Sequence, residues 1–148
     1  MTIQERLTEA MKVAMRAKDS LRLNTIRMMR TAIKNREIDT RSELSETEAI
    51  SILSTLVKQR RESAAAYRNG GRDDLAAKEE QELAIVQEFL PSQLDEAGIR
   101  ELIEKAVLET GAVSPKDMGK VMKVVSAQTT GRADGRLVSE LVKARLAG

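Results

Sequence analysis

The first 69 residues of the chain contain neither glycine nor proline, and the first residue of either type is Gly70. Glycine and proline mark most tight turns, so a run of this length without them argues against a fold of strands and hairpins. Strong helix formers dominate the composition. Aromatic residues make up 1% of the chain, so any core consists of Leu, Ile, Val, Ala and Met. The sequence predicts an all-α protein.

Capping residues divide the N-terminal part into four helices. Thr2 with Glu5 and Ser45 with Glu48 have the spacing of a capping box, and Asp19 or Ser20 can cap the helix between them. The polar run 39–42 is expected to be a loop, and Gly70 with Gly71 ends the third helix. The predicted helices cover about residues 2–18, 20–38, 46–68 and 73–88.

The C-terminal part is predicted to form a smaller unit of three helices. Pro91 ends the fourth helix and begins a short linker. Asp95 is expected to cap a fifth helix that stops at Gly111, and two more helices begin after Ser114 and Asp134. We therefore predict two domains, an N-terminal bundle over 1–90 and a C-terminal unit over 91–148. A unit of the latter size has a marginal core.

Missing residue types restrict the chemistry. The chain has no histidine and no cysteine, which removes the usual general base, the usual thiol nucleophile and most transition-metal ligands. The adjacent acidic pairs at 73–74 and 79–80 lie in a charged helix and are expected to be solvated or salt-bridged. We predict no catalytic residues, no metal site and no cofactor. The sequence has no run long enough to span a membrane and no secretory signal core at its N-terminus, so we expect a cytoplasmic protein without a membrane partner.

Charge is segregated along the chain although the net charge is only +2. Residues 1–36 carry nine basic and three acidic groups, and residues 115–148 carry seven basic and three acidic groups. The acidic excess lies between these segments. This distribution permits local positive patches on a nearly neutral molecule.

The segment from Ser114 to Arg136 has the most specific pattern. Ser114, Pro115 and Asp117 are expected to start a helix as N-cap, N1 and N3. Lys116, Lys120 and Lys123 then share a face at spacings of four and three, opposite an apolar face at 118, 121, 122 and 125. A turn around Arg132 leads to a last helix capped by Asp134. Exposed cations in this arrangement suit a polyanion, although a solvated helix face explains the same pattern.

The same segment carries a resemblance to a known family. Its GKVM and GRADG motifs, the closing Val142-Lys143-Ala144-Arg145-Leu146 and the FLPSQL run at 89–94 resemble the YqeY family. The similarity covers nearly the whole chain. The family is similar to the tail domain of the B subunit of the glutamine-dependent aspartyl/glutamyl-tRNA amidotransferase, whose catalytic machinery lies in a different domain.

The resemblance implies a non-catalytic accessory that binds tRNA or another structured RNA. The expected phosphate contacts are Lys116, Lys120, Lys123, Arg132, Arg136 and Lys143. Ser114, Gly131, Asp134 and Gly135 are expected to shape the turn and the caps, with both glycines in conformations closed to other residues. The alternative is an adaptor that docks on amidotransferase or aminoacyl-tRNA synthetase components without RNA contact.

Two features of the N-terminal part remain open at this point. Arg27, Arg30 and Lys34 form a second basic stripe, on the second helix, which is either the ordinary outer face of a bundle or a second binding surface. Arg60 falls inside the apolar stripe of the third helix. It either snorkels, pairs with a carboxylate or marks a functional cleft.

Overall fold

A computed structural model describes residues 1–148 and contains seven α-helices, one 3₁₀ turn and no strand. The all-α prediction is confirmed. The chain divides into two compact units, Met1–Pro91 and Ser92–Gly148. That each unit folds as an independent domain, as predicted for 1–90 and 91–148, stays a prediction. The helices are α1 Ile3–Ala17, α2 Ser20–Thr40, α3 Glu46–Asn69, α4 Asp73–Gln87, α5 Glu96–Thr110, α6 Met118–Thr129 and α7 Gly135–Ala147.

Side-chain caps begin most of these helices where the sequence placed them. Thr2 accepts a hydrogen bond from the Glu5 N–H at 3.1 Å, and Ser45 accepts one from Glu48 at 3.2 Å. The carboxylate of Asp19 caps α2. Asp95 and Asp134 cap α5 and α7 in the same way. Each such cap satisfies a backbone donor that the helix itself leaves unpaired and stabilises it by about 1 kcal/mol.

The glycine-free segment turns by placing ordinary residues in the left-handed conformation. Lys18 and Arg41 have φ of 56° and 55°. After each, a backbone N–H reaches five residues back, from Asp19 to Ala14 and from Ser42 to Glu37. Gly71 and Gly111 end α3 and α5 with the same type of bond. A non-glycine residue costs about 1–2 kcal/mol in this conformation, and the helix-terminal bonds offset part of that cost.

The prediction of a loop over residues 39–42 is partly wrong. Asp39 and Thr40 continue α2, and the Thr40 hydroxyl donates back to the Arg36 carbonyl at 3.0 Å. Because a polar side chain can bond within a helix as well as in a turn, composition alone placed the end of α2 too early.

The N-terminal unit has a core of aliphatic side chains from all four helices. Leu7, Ile26, Met29, Leu53 and Val86 are among its fully buried members. Each such side chain contributes about 1.5–3 kcal/mol by leaving water. Phe89 and Leu90, directly after α4, are buried in this same core.

The C-terminal unit packs α5, α6 and α7 around a second core. Its buried side chains include Ile99 and Ile103 of α5, Val121 and Val125 of α6, and Val142 of α7. The apolar face predicted for α6 is therefore the one that faces the core. None of the helices in either unit is both long enough and apolar enough to cross a lipid bilayer.

Candidate nucleic-acid interface

The predicted lysine face does not lie on one continuous helix. Pro115–Asp117 form a 3₁₀ turn, and α6 starts only at Met118. Lys116 therefore precedes the α-helix, whereas Lys120 and Lys123 lie on it. A 3₁₀ turn rotates the chain further per residue than an α-helix, so Lys116 is offset from the line of the other two lysines.

Asp117 caps the 3₁₀ turn that precedes α6. Its Oδ2 accepts hydrogen bonds from the backbone N–H groups of Val113 at 2.9 Å and Ser114 at 3.3 Å. The bond from Val113 is the main reason that the pKa of Asp117 lies below its usual value, and the bond from Ser114 and the Lys120 ammonium act in the same direction. The acidic residue predicted at N3 therefore has the expected capping role.

The three lysines differ in their electrostatic surroundings. The Nζ of Lys120 lies 3.8 Å from Asp117 Oδ1, and its side chain is 69% exposed. Lys116 and Lys123 are exposed and make no ion pair within the chain. Lys143 on α7 is exposed in the same way. Surface pairs as long and exposed as that of Lys120 contribute little, so all three ammonium groups of the turn and α6 are available to an anion.

Arg132 has a structural role that the sequence did not predict. Its half-buried guanidinium donates from Nε to the Ser92 carbonyl at 3.0 Å, and its own carbonyl accepts from Leu94 N–H at 2.7 Å. Gln93 donates to the carbonyl of Gly131 at 2.8 Å. These bonds join Ser92–Leu94 to the turn between α6 and α7, across about forty positions of sequence. No local pattern could have predicted them.

Of the two glycines that were predicted to shape the turn, only one needs the conformational freedom of glycine. Gly131 has φ of 81°, which favours glycine as predicted. Gly135 does not have a positive φ, and a Cβ there would meet nothing within 4 Å. The expectation for Gly135 is therefore wrong, because it is the first residue of α7 and has an ordinary helical backbone.

The basic face of α7 contains an acidic residue. Asp134 caps the helix by accepting from the Arg136 N–H at 3.1 Å. Arg136, Glu140 and Lys143 then follow at spacings of four and three and share one face. Glu140 lowers the net positive charge of this face. The helical spacing of Arg136, Glu140 and Lys143 in the sequence is the signal that predicts this arrangement.

The candidate cations are spread along α6 rather than gathered at one point. Lys116 precedes the first residue of α6 and Arg132 follows the last, so the helix length, about 18 Å for twelve residues, lies between them. The 3₁₀ turn contacts both α6 and α7, which places Lys116 where these helices approach each other. An extended anion such as a nucleic-acid backbone fits this spacing better than a single phosphate.

The two open features of the N-terminal unit are now located. Arg27, Arg30 and Lys34 are exposed and line a groove between α1 and α2. Arg60 pairs with a carboxylate, since its Nε lies 3.5 Å from Glu82 Oε2 and both side chains are less than one fifth exposed. Its Nη2 also contacts the sulfur of Met28. No group of three or more acidic side chains is arranged to hold a metal ion.

Comparison with known proteins identifies the family. The model of the YqeY-like protein family matches residues 4–146. A relative from Vanderwaltozyma polyspora, "Altered inheritance of mitochondria protein 41, mitochondrial", is 45% identical over 58% of this chain and 47% of its own length. The protein of the same name from Eremothecium gossypii is 41% identical over 68% of this chain and 55% of its own length. The one from Pyrenophora tritici-repentis is 31% identical over 93% and 77%.

These names contradict the expected location. The chain spans about half the length of the first two of these curated relatives, and all three are named as mitochondrial proteins. The prediction of a cytoplasmic protein is therefore wrong. That prediction depended on the absence of a secretory signal core, and such a core directs export. Mitochondrial import uses a different kind of signal, which is amphipathic and rich in arginine. Because the family model matches nearly all of its residues, the chain belongs to the family of YqeY-like proteins.

Proposed function

We propose that the protein binds tRNA or another structured RNA through the α6–α7 surface, and that it serves tRNA-dependent amidotransferase systems without catalysing a reaction itself. The α6–α7 surface consists of Lys116, Lys120, Lys123, Arg132, Arg136 and Lys143. The observation that carries this proposal is the exposure of Lys116, Lys123 and Lys143 without an ion pair in the chain. Since A-form RNA is recognised largely by its backbone and shape, such groups suffice without stacking aromatics.

The members of this surface have different proposed roles. Lys116, Lys123 and Lys143 contact phosphates directly, and Lys120 exchanges its loose pair with Asp117 for a phosphate. Arg132 holds the turn through Ser92 and offers its remaining N–H groups to the RNA. Arg136 lies at the start of α7, where the positive end of the helix dipole also favours an anion.

A second candidate function is an adaptor that docks on an amidotransferase or aminoacyl-tRNA synthetase complex without RNA contact. The observation that favours it is the α1–α2 groove, a concave surface lined by three exposed cations and the half-buried Met11. A groove between two helices can hold a segment of a partner protein. The two functions therefore place the binding energy in different units of the chain.

Binding of bulk tRNA across a salt series tests the proposal. The triple variant Lys116→Ala, Lys120→Ala, Lys123→Ala removes three phosphate contacts and should reduce the slope of log K against log salt by about two. The matched control Lys58→Ala, Lys78→Ala, Lys105→Ala removes the same charge from exposed positions elsewhere and should keep the slope of the wild type. Failure of the wild type to bind tRNA even at low salt would refute RNA binding and leave the adaptor function.

A further inference from the structure

Gly119 lies inside a helix although neither its backbone nor its packing requires a glycine. Helical backbone begins at Pro115 with the 3₁₀ turn and continues through α6, so Gly119 is its fifth residue. Its φ is not positive, it is exposed, and a Cβ built on it would meet nothing within 4 Å. Glycine in the middle of a helix is less stable than alanine, because it loses more conformational freedom on folding. The fold alone would favour alanine at this position.

The other seven glycines lie at positive φ, at helix ends or against neighbouring atoms. Three have positive φ, namely Gly71, Gly111 and Gly131. Three others lie at helix ends, namely Gly70, Gly135 and Gly148. A Cβ on Gly98 would lie 3.2 Å from Asp95 Oδ1 and from Leu94 Cδ2. Gly119 is thus the position inside a helix where nothing else in the chain explains the absence of a side chain.

Gly119 lies among the lysines of the α6–α7 surface. Lys123 follows it by four residues, about one turn of α-helix, and Lys120 is the next residue. Lys116 precedes it by three residues, which is one turn of a 3₁₀ helix. Side chains on an α-helix lean toward its N-terminus, so Lys123 leans from its own turn toward Gly119. The three exposed lysines therefore surround a gap whose floor is bare backbone.

The neighbouring carboxylate, Asp117, does not fill this gap. Its Oδ2 accepts the hydrogen bonds from Val113 and Ser114, and its side chain is only 20% exposed. A Cβ on Gly119 would have no atom of Asp117 within 4 Å, and none of Lys116 or Lys123 either. The gap is therefore open, and the charge around it is mainly positive.

We propose that Gly119 is the point at which the sugar–phosphate backbone of a structured RNA lies directly against α6, with Lys116 and Lys123 holding phosphates on either side. This inference rests on the RNA binding proposed above and names the residue that adapts the surface to a duplex.

The physical reason is the difference between a rigid and a flexible polyanion. Lysine side chains are long and flexible, so they reach a thin, flexible polyanion without any contact between it and the helix. A rigid A-form duplex is recognised by its shape, so its backbone meets several lysines at once only where the protein surface admits it. A side chain at position 119 would hold the duplex away from α6 and leave every lysine in place.

The test compares the affinities of the full chain for labelled bulk tRNA and for labelled inorganic polyphosphate by fluorescence anisotropy. Gly119→Ala and Gly119→Leu change no charge. We expect Gly119→Leu to lower the tRNA affinity by about tenfold, the size of effect that overfilling a close contact has, and Gly119→Ala by less. Both variants should bind polyphosphate like the wild type. The melting temperature of Gly119→Ala should rise by about 3 °C, because alanine is the better helix former.

Ala97→Leu is the matched control. It adds an aliphatic side chain of similar size to an exposed position near the start of α5, in a depression that Glu101 and Glu104 also line. Because carboxylates repel phosphates, no RNA contact is expected there, and the control should bind both polyanions like the wild type.

Several outcomes would overturn the role of Gly119 and leave RNA binding by the lysines intact. They are wild-type tRNA affinity of Gly119→Leu, an equal loss of tRNA and polyphosphate affinity, and a fall in the melting temperature of Gly119→Ala. Self-association of the wild type that Gly119→Leu abolishes would also overturn it, because the occupant of the gap would then be a second copy. Failure of the wild type to bind tRNA at low salt would instead refute the proposed function, and the role of Gly119 with it.

Discussion

The α1–α2 groove and the α6–α7 surface both carry exposed cations, but their surroundings differ. In the groove, Arg30 lies against the half-buried Met11, and the other apolar lining residues, Leu7 and Ile33, are buried in the core. In the C-terminal unit, α6 turns Val121 and Val125 into the core and leaves Lys123 on the opposite side. Cations along a groove between two helices suit a protein segment that lies in the groove, whereas cations on an exposed helix face suit phosphates. Similar local charge therefore supports two different partners.

The largest expected effect is a difference in the free energy of unfolding between a variant at a paired cation and a variant at an unpaired cation of the N-terminal unit. Glu82→Gln leaves the mostly buried Arg60 without its carboxylate and should lower the free energy of unfolding by about 3 kcal/mol. Arg27→Ala, at the exposed rim of the groove, should change it by less than about 0.5 kcal/mol. Urea denaturation measures both values.

A double variant controls for other effects at the Arg60 site. Arg60→Met with Glu82→Leu replaces the pair by apolar side chains of similar volume and should recover most of the lost stability. If Arg27→Ala destabilises the protein as much as Glu82→Gln, the rim cations are structural and the distinction between the two kinds of cation fails.

A smaller effect is expected at Arg132, which belongs to the α6–α7 surface but is engaged with Ser92. Arg132→Ala removes that hydrogen bond and should lower the free energy of unfolding by about 1 kcal/mol, as thermal unfolding would show. The tRNA affinity of Arg132→Ala should fall less than that of Lys123→Ala, because only part of the Arg132 guanidinium is free in the wild type. A large loss of tRNA affinity without any loss of stability would instead make Arg132 a primary phosphate contact.

The smallest effect concerns Asp117 and pH. Its folded-state pKa lies below the usual value, so its contribution to stability is present above the unfolded pKa of about 4 and is lost as pH falls through the lower folded value. The stability difference between the wild type and Asp117→Asn should therefore shrink as pH falls below about 4. Melting temperatures between pH 6 and pH 2 would show this.

The variant Lys120→Ala sharpens the same measurement. Because the bond from the Val113 N–H is the main cause of the lowered pKa, removal of Lys120 should leave most of the acid dependence in place. Loss of the whole effect would mean that Lys120 is committed to Asp117 and is not available to RNA.

The fold was predictable because its signals are local. Thr2, Ser45, Asp95 and Asp134 cap helices as expected, since a cap depends on a side chain and the N–H two or three residues later. The end of α2 was placed too early, because Asp39 and Thr40 favour turns by composition yet continue the helix.

The site was predictable only in part. Lys123 and Lys143 are exposed as their helical spacing indicated. The bond from Arg132 to Ser92 joins distant positions, and the pairing of Arg60 with Glu82 joins two helices. Such contacts depend on how helices pack. The groove likewise needs two helices side by side, so neither the Arg27 stripe nor α1 alone could indicate it.

The most direct test of the account is an NMR titration of the full chain with bulk tRNA, followed through the lysine ammonium and backbone amide resonances. We predict that shifts concentrate at Lys116, Lys120, Lys123 and Lys143, while Leu7, Met11 and Ile33 in the α1–α2 groove stay unchanged. Shifts in the groove without shifts on α6 and α7, or no shifts at low salt, would contradict the assignment of RNA to the α6–α7 surface.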